Sequence, residues 1–286
     1  MARIAELLTY PVKGCAGTSV RTAELTRAGL AHDRTFMVVD AEGVFRSQRK
    51  DPRMARVRPE VADGGARLVL NAPGVEPLDL KTDPEGPRTG VALHKQPFTG
   101  LDQGDEAAEW LSEVLGSRSR LVRVPPDHDR EVAGLTSGTS GYADSTALMV
   151  LSLSSLDLLN ERICAAGGAP LPMNRFRPNI VVSGWAEPHT EDRVRTARAG
   201  TAELGYAKVC IRCAVTTVDQ ESGEKTGPEP LRTLAGYRRA DGGGVSFGAK
   251  FSVIRTGVLT VGDAFEATAW DAPEQGLGER LAAVLG

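Results

Sequence analysis

Short runs of apolar and β-branched residues, separated by turn residues, recur along the chain. The first run, residues 3–10, stops at Pro11, and the run 36–39 is followed by a turn and a candidate hairpin partner at 44–47. Further runs of this kind lie at 67–70, 91–93, 147–151, 179–182, 210–218, 251–254, 258–261 and 264–267. Because short strands with frequent Gly, Pro and Asp turns are typical of antiparallel sheets, this pattern predicts a β-barrel or a β-sandwich.

Helical spacing of apolar residues occurs in few places. Residues 105–115 have acids in the first turn and Gly116 at the end, which predicts a helix. A second helix is predicted over 154–163, where Ser154 and Asp157 resemble a capping box, and a third over the last dozen residues, which end at Leu285 and Gly286. We therefore predict a mainly β fold with covering helices (α+β), in two domains that meet near residue 116.

Composition and charge narrow the class of protein. Of the 286 residues, 41% are hydrophobic and 25% charged, which is ordinary for a globular protein. The 34 Lys and Arg residues against 37 Asp and Glu residues give a net charge of -3, which argues against general nucleic-acid binding but leaves a local basic pocket possible. No apolar stretch approaches the length of a membrane span, so we expect no membrane partner, and we expect a cytoplasmic protein with reduced thiols.

Two of the four cysteines, Cys210 and Cys213, form a Cys-x-x-Cys pair. A thioredoxin-like pair needs a helix N-terminus, whereas these flanks are β-branched and favour a strand over 210–218. A structural zinc site needs four ligands, and Cys15 and Cys164 stand alone. An iron–sulfur cluster that used all four cysteines would draw on three distant segments. On a regular strand the two thiols of the pair would lie on opposite faces, and Arg212 would share the face of Cys210.

Basic residues stand at the ends of predicted strands. Lys13 follows the first strand, Arg34 precedes the second, and Arg177 precedes the run that begins at Asn179. Such side chains can converge on one rim of a barrel and bind a phosphate or a heterocycle, although each can equally be a solvated surface charge. The small, polar segment 134–141 is compatible with a lid, an anion cradle or a plain flexible linker.

Several sequence blocks together resemble one family. They are YPVKGC at 10–15, HDRTFM at 32–37, RFRPNIVV at 175–182, CIRCAVTTVD at 210–219 and GVLTVGD at 257–263. In this order they resemble proteins in which an N-terminal MOSC β-barrel domain precedes a MOSC (molybdenum cofactor sulfurase C-terminal) domain, and most closely the amidoxime-reducing, molybdenum-dependent group. The resemblance implies a smaller β-rich N-terminal domain at 1–116 and a β-barrel MOSC domain at 117–286.

The resemblance also implies a site. By matching position, Cys213 would be the catalytic thiolate that binds molybdenum. The residues that would contact the molybdenum cofactor (molybdopterin) are Lys13, Arg34, Arg177 and Asn179, with Ser145 and Thr146 as weaker matches. Asp144 would either contact the pterin or cap its loop. Gly14 stands where many relatives have Ser, so a side-chain contact is missing there.

The implied reaction is the reduction of N-hydroxylated substrates, such as amidoximes, hydroxylamines and N-hydroxylated base analogues. The electrons would come from a separate donor, which would be a ferredoxin, a flavoprotein or another reductase. Two alternatives stay open. One is a non-catalytic carrier of the cofactor, or of sulfur as a persulfide on Cys213. The other is a plain β-barrel binding protein in which Cys210 and Cys213 form a redox pair or part of a metal clip.

Overall fold

Strands dominate residues 1–271, the part of the chain that this computed structural model describes. In chain order the first strands are β1 (Arg3–Thr9), β2 (Val12–Lys13), β3 (Thr18–Val20), β4 (Thr22–Thr26), β5 (Gly29–Leu30), β6 (Phe36–Val39), β7 (Arg58–Ala62), β8 (Arg67–Ala72), β9 (Val75–Lys81), β10 (Arg88–Leu93), β11 (Gln96–Asp102) and β12 (Arg120–Arg123). They continue with β13 (Glu131–Val132), β14 (Gly138–Thr139), β15 (Leu148–Ser152), β16 (Ile180–Ser183), β17 (Val194–Ala199), β18 (Ala202–Arg212), β19 (Val245–Arg255), β20 (Gly257–Thr260) and β21 (Phe265–Trp270).

Helices cover these sheets at a few places. The α-helices are α1 (Asp105–Leu115), α2 (Leu153–Ala165) and α3 (Leu231–Ala235), and short 3-10 helices lie at Pro52–Arg56, Asp63–Gly65, Met173–Phe176, Thr190–Asp192 and Ala214–Thr217. The predicted class, mainly β with covering helices, is confirmed. Among residues 1–271, no helix has both the length and the apolar character that a bilayer span requires. The predicted C-terminal helix lies outside the described residues.

The largest sheet joins both ends of the described chain. Its strand order is β21-β17-β18-β19-β15-β16-β1-β3, antiparallel except for the parallel pair β15 and β16. Arg3 also forms an isolated bridge with Ala264, so the two ends of this order approach each other. The first strand therefore belongs to a sheet built mostly from residues beyond 147. The domain boundary near residue 116 stays a prediction.

A second sheet contains the short strand β2, which follows β1 in the chain. Its order is β10-β11-β12-β6-β2, and β2 brings Lys13 beside Met37 of β6. Helix α1 packs its apolar stripe, which includes Trp110, Leu111 and Leu115, into the core under this region. Gly116 ends the helix in the left-handed conformation, with φ of 64°, as the sequence predicts.

Two local predictions differ from the structure. Ser152, not Ser154, caps α2, because its hydroxyl accepts a hydrogen bond from the backbone N–H of Ser155. Residues 44–47 form only isolated bridges, Val39 with Phe45 and Val44 with Ala92, instead of a paired strand. The turn after β6 was predicted correctly, but the strand pairing that follows it is shorter than predicted.

Candidate functional site

All seven residues that the sequence analysis selected line one cleft of about 390 Å³. They are Lys13, Arg34, Ser145, Thr146, Arg177, Asn179 and Cys213. These residues come from five separate segments of the chain, so their convergence is a product of the sheet topology. Their roles toward a cofactor remain proposals.

Cys213 lies where β18 has just ended. The strand predicted over 210–218 is wrong beyond Arg212, because residues Ala214–Thr217 turn into a 3-10 helix that Cys213 precedes. The carbonyl of Cys213 accepts hydrogen bonds from the backbone N–H of Thr216 at 3.1 Å and from its hydroxyl at 3.0 Å. This turn leaves the Cys213 thiol partly exposed in the cleft, whereas Cys210 is buried.

The two cysteines have different cationic neighbours. Arg212 donates to the sulfur of Cys210 at 2.9 Å and to the carbonyl of Phe176 at 2.7 Å, so it holds the buried cysteine, as strand alternation predicts. The guanidinium that reaches Cys213 belongs to Arg49, with Nη1 3.5 Å from Sγ. Arg49 lies in a loop far away in sequence and carries no recognisable signal, so the sequence analysis missed it.

Arg34 and Arg177 share one aromatic ring. Each guanidinium lies 4.3 Å from the ring centroid of Tyr10, and each residue has a left-handed backbone, with φ of 49° and 56°. Asp33 holds this group together. Its carboxylate accepts from Arg34 Nη1 at 2.6 Å and from the backbone N–H of Tyr10 at 2.8 Å. Burial raises the pKa of Tyr10 to about 12, against the opposing charges of the two arginines.

Asn179 is buried, and most of its side-chain hydrogen bonds are made within the protein. Its side-chain oxygen accepts from Arg34 Nη1 at 3.1 Å and from the backbone N–H of Met149 at 3.2 Å, and its amide donates to the carbonyl of Leu8 at 3.2 Å. This residue therefore positions Arg34 and joins β1 to the start of β15. Fewer of its side-chain hydrogen-bonding groups are left for a ligand than the predicted cofactor contact suggests.

Lys13 is held in place by Asp144. The buried ammonium donates to the carbonyl of Tyr142 at 2.8 Å and to Asp144 Oδ1, which also contacts His94 Nε2 at 2.9 Å. Burial lowers the pKa of Lys13, and the charge of Asp144 opposes that shift. For Asp144 burial acts to raise the pKa, but the charge of Lys13 and the hydrogen bond from His94 outweigh it and hold the pKa well below its usual range.

Ser145 and Thr146 offer unused hydroxyls. Both hydroxyl oxygens are buried, and within residues 1–271 neither has a hydrogen-bond partner. A buried polar group without a partner is costly, so such groups in a cleft point to a polar ligand. No three His, Cys, Asp or Glu side chains of the described residues come together as a metal-binding group.

Charge sets this cleft apart from the rest of the protein. Eight Lys and Arg side chains line it against the single carboxylate of Asp144, although the whole chain carries a net charge of -3. The cations are Lys13, Arg34, Arg46, Arg49, Arg177, Lys208, Arg212 and Lys250. Such a concentration of positive charge favours an anionic ligand. Lys208, Cys210 and Arg212 alternate along β18 and so share one face of the strand. This alternation could have identified Lys208 and Arg212 as residues of the same cleft.

The segment 134–141 packs against β18 and β19. The backbone N–H groups of Leu135 and Thr136 donate to the carbonyls of Ala207 and Tyr206, at 2.8 and 3.0 Å. A methyl group on Gly134 would come within 2.7 Å of the Cβ of Ala207. The small residues therefore allow a close approach of two backbones, so this segment packs on the sheet and is not a plain linker.

Comparison with known proteins places the chain in a family. Residues 1–118 match the MOSC N-terminal beta barrel domain and residues 137–266 match the MOSC domain. Mitochondrial amidoxime-reducing component 1 of Mus musculus is 33% identical over 280 residues, which cover 91% of this chain and 80% of that protein. The Homo sapiens protein of the same name is 32% identical over 280 residues, with 91% and 81% covered. Molybdenum cofactor sulfurase of Anopheles gambiae is 32% identical over 88% of this chain but only 34% of its own length. The chain therefore belongs to the family of proteins that join a MOSC N-terminal β-barrel domain to a MOSC domain.

Proposed function

We propose that the cleft binds the molybdenum cofactor and that the protein reduces N-hydroxylated compounds with electrons from a separate donor protein. One observation carries the proposal: a single partly exposed thiol, Cys213, stands in a cleft lined by eight cationic side chains. The relatives named amidoxime-reducing component and molybdenum cofactor sulfurase support an association with the molybdenum cofactor.

The donor set of the cleft fits such a cofactor. Cys213 supplies one thiolate, a soft ligand suited to a metal that the cofactor already holds through sulfur. The hydroxyls of Ser145 and Thr146 are buried without a partner among the described residues, and a rotation of either side chain would let it bond the polar edges of a pterin. Lys13, Arg34 and the neighbouring Arg177 provide ammonium and guanidinium donors for its phosphate and ring carbonyls.

When bound, the cofactor supplies two-electron oxygen-atom transfer. For an amidoxime, two electrons and two protons break the N–O bond and release an amidine and water. The electrons come from a one-electron iron–sulfur or flavin protein. Lys13, Arg34 and Arg177 would hold the cofactor, the turn after β18 positions the sulfur of Cys213, and Arg49 lies within 3.5 Å of that sulfur. The cytoplasmic location stays a prediction.

Metal content and turnover test the proposal together. We expect the wild-type protein to carry molybdenum and pterin and to reduce an aromatic amidoxime with a chemical electron donor. The variant Cys213→Ser should lose turnover and most of the molybdenum. Cys164→Ser is the matched control, because Cys164 is exposed on α2 and should leave both unchanged. Equal molybdenum content and turnover in Cys213→Ser and wild type would remove Cys213 as the ligand.

A carrier role is the second candidate. The partial exposure of the Cys213 thiol suits transfer of sulfur as a persulfide, and one relative is named molybdenum cofactor sulfurase. The same experiment separates the two roles. Bound cofactor without amidoxime reduction would favour the carrier, and a preparation that holds neither molybdenum nor pterin would favour a plain binding protein with a Cys210–Cys213 redox pair.

A further inference from the structure

Two lysines face each other across the sheet at the cleft. Lys208 of β18 is paired directly with Lys250 of β19, and the same row continues to Met149 of β15. Residues paired in this way share one face of a sheet, with Cβ atoms about 4.5–5.5 Å apart. All three residues line the cleft.

This pairing is unfavourable in the protein by itself. Like charges directly opposite on neighbouring strands repel each other. Within residues 1–271 neither lysine forms a salt bridge with a carboxylate, and the only hydrogen bond from Lys208 goes to the carbonyl of Ala133 at 3.1 Å. The one acid that lines the cleft, Asp144, is engaged by Lys13 and His94, and the charge of Lys250 helps to lower its pKa without forming an ion pair with it. A bound anion would relieve the repulsion.

The position of the pair suits a ligand that exchanges with solvent. Lys208 is exposed and Lys250 is half-buried, whereas Lys13 and Asn179 are buried. Lys208 precedes Cys213 by five residues, so even along a fully extended strand their Cα atoms are at most about 17 Å apart. A small molecule with its reacting group near Cys213 can therefore extend toward the lysines.

We infer that Lys208 and Lys250 together bind an anionic group of the substrate, so that the preferred substrates are N-hydroxylated compounds that carry a carboxylate or a similar oxyanion. The inference rests on the proposed function for the identity of the reacting group. It assigns the two lysines to substrate recognition and not to cofactor binding.

A matched pair of substrates tests the inference. One is benzamidoxime with a carboxylate in the para position, and the other is its neutral methyl ester. The variants are Lys208→Met and Lys250→Met, which remove the charge but keep an unbranched side chain, and Lys250→Arg, which keeps the charge. Lys81→Met, on β9 and outside the residues that line the cleft, is the control. Cofactor-loaded protein is used throughout, and molybdenum and pterin are measured in every preparation.

We expect each methionine variant to raise KM for the carboxylate at least fivefold, with little change in kcat. KM for the ester and the molybdenum content should not change. Lys250→Arg should retain most of the preference, and added salt should weaken it in the wild type. An unchanged ratio of the two KM values in the methionine variants would overturn the inference. Loss of molybdenum or pterin in those variants would overturn it too, by assigning the lysines to the cofactor.

Binding without turnover separates this inference from the proposed function. Calorimetric titration of oxidised protein with each compound gives the same comparison when no reduction occurs. A preference for the carboxylate that both methionine variants abolish would support the anion site even if no substrate is reduced, in which case only the proposed activity fails. Equal affinity for the two compounds would overturn the anion site whatever the turnover.

Discussion

The buried ion pair between Asp33 and Arg34 gives a sharp test of how the site is held. The substitution Asp33→Asn removes the negative charge but keeps an oxygen that can accept the hydrogen bond from the backbone N–H of Tyr10. It leaves the guanidinium of Arg34 without its charge partner, beside a second guanidinium at Arg177 that lies over the same ring.

The magnitude follows from the surroundings of Arg34. Removing one partner of a buried ion pair typically costs about 3–5 kcal/mol, because the remaining charge stays buried and unpaired. The guanidinium keeps its hydrogen bond to Asn179 and its side chain is 14% exposed, which places the expected loss near the lower end. A loss of about 3 kcal/mol lowers the melting temperature by roughly 5 °C in a protein of this length, because the unfolding entropy is about 2 cal/mol/K per residue.

Thermal unfolding followed by circular dichroism measures this loss. Asp79→Asn is the control, because Asp79 forms a half-exposed ion pair with Arg67, and such surface pairs contribute little. We expect Asp79→Asn to melt close to the wild type. If Asp33→Asn melts at the same temperature as the control, the charge of Asp33 does not stabilise the buried guanidinium of Arg34.

Two further substitutions test other buried groups. Burial, with the nearby charges of Arg238 and Arg162, lowers the pKa of His189 from 6.5 to about 4, so its neutral ring adds stability that is complete above pH 6.5 and is lost as the pH falls toward 4. The full shift corresponds to at most about 3 kcal/mol, reduced by partial exposure to screening solvent. In urea unfolding, His189→Phe should flatten the decline of stability between pH 6.5 and 4, and an unchanged pH profile would contradict this. Gln48→Leu breaks a buried reciprocal amide pair with Gln220, with N–O distances of 3.2 and 3.0 Å, and should cost about 1–3 kcal/mol in the same assay, so an unchanged unfolding midpoint would contradict a structural role.

Helix α1 and strand β6 were predicted correctly, because the sequence signals that define them lie within the elements or directly beside them. Helix α1 begins and ends where its acids and Gly116 predict, and β6 spans the predicted residues 36–39. The predicted strand through Cys213 failed because Thr216 and its hydroxyl bond back to the Cys213 carbonyl, which ends the strand in a 3-10 turn. Thr is common in strands, so its β-propensity gave no warning of this local hydrogen bond.

The positions of Lys13, Arg34 and Arg177 at strand ends allowed them to converge, but only the family resemblance selected the full set of site residues. The resemblance selected residues from 13 to 213 that the structure brings into one cleft. It did not find Arg49 or the pairing of Lys208 with Lys250, because neither follows from a local motif. The pairing depends on the register between β18 and β19, which shifts on either side of Lys208. A strand register with such irregularities cannot be predicted from sequence spacing alone.

Two pairs of cations in the cleft differ in their charge partners, and this difference has a functional consequence. Lys13 and Arg34 each have a carboxylate of their own, Asp144 and Asp33, so their positions are fixed before any ligand binds. Lys208 and Lys250 repel each other, and among the described residues neither forms an ion pair with a carboxylate, although the charge of Lys250 acts on Asp144 from a distance. A pre-organised side suits a cofactor that stays bound, because little ordering remains to oppose its binding. An unpaired cationic side gains most from an anion that arrives with each turnover, so selectivity for charged substrates can change at these two lysines without disturbing the cofactor side.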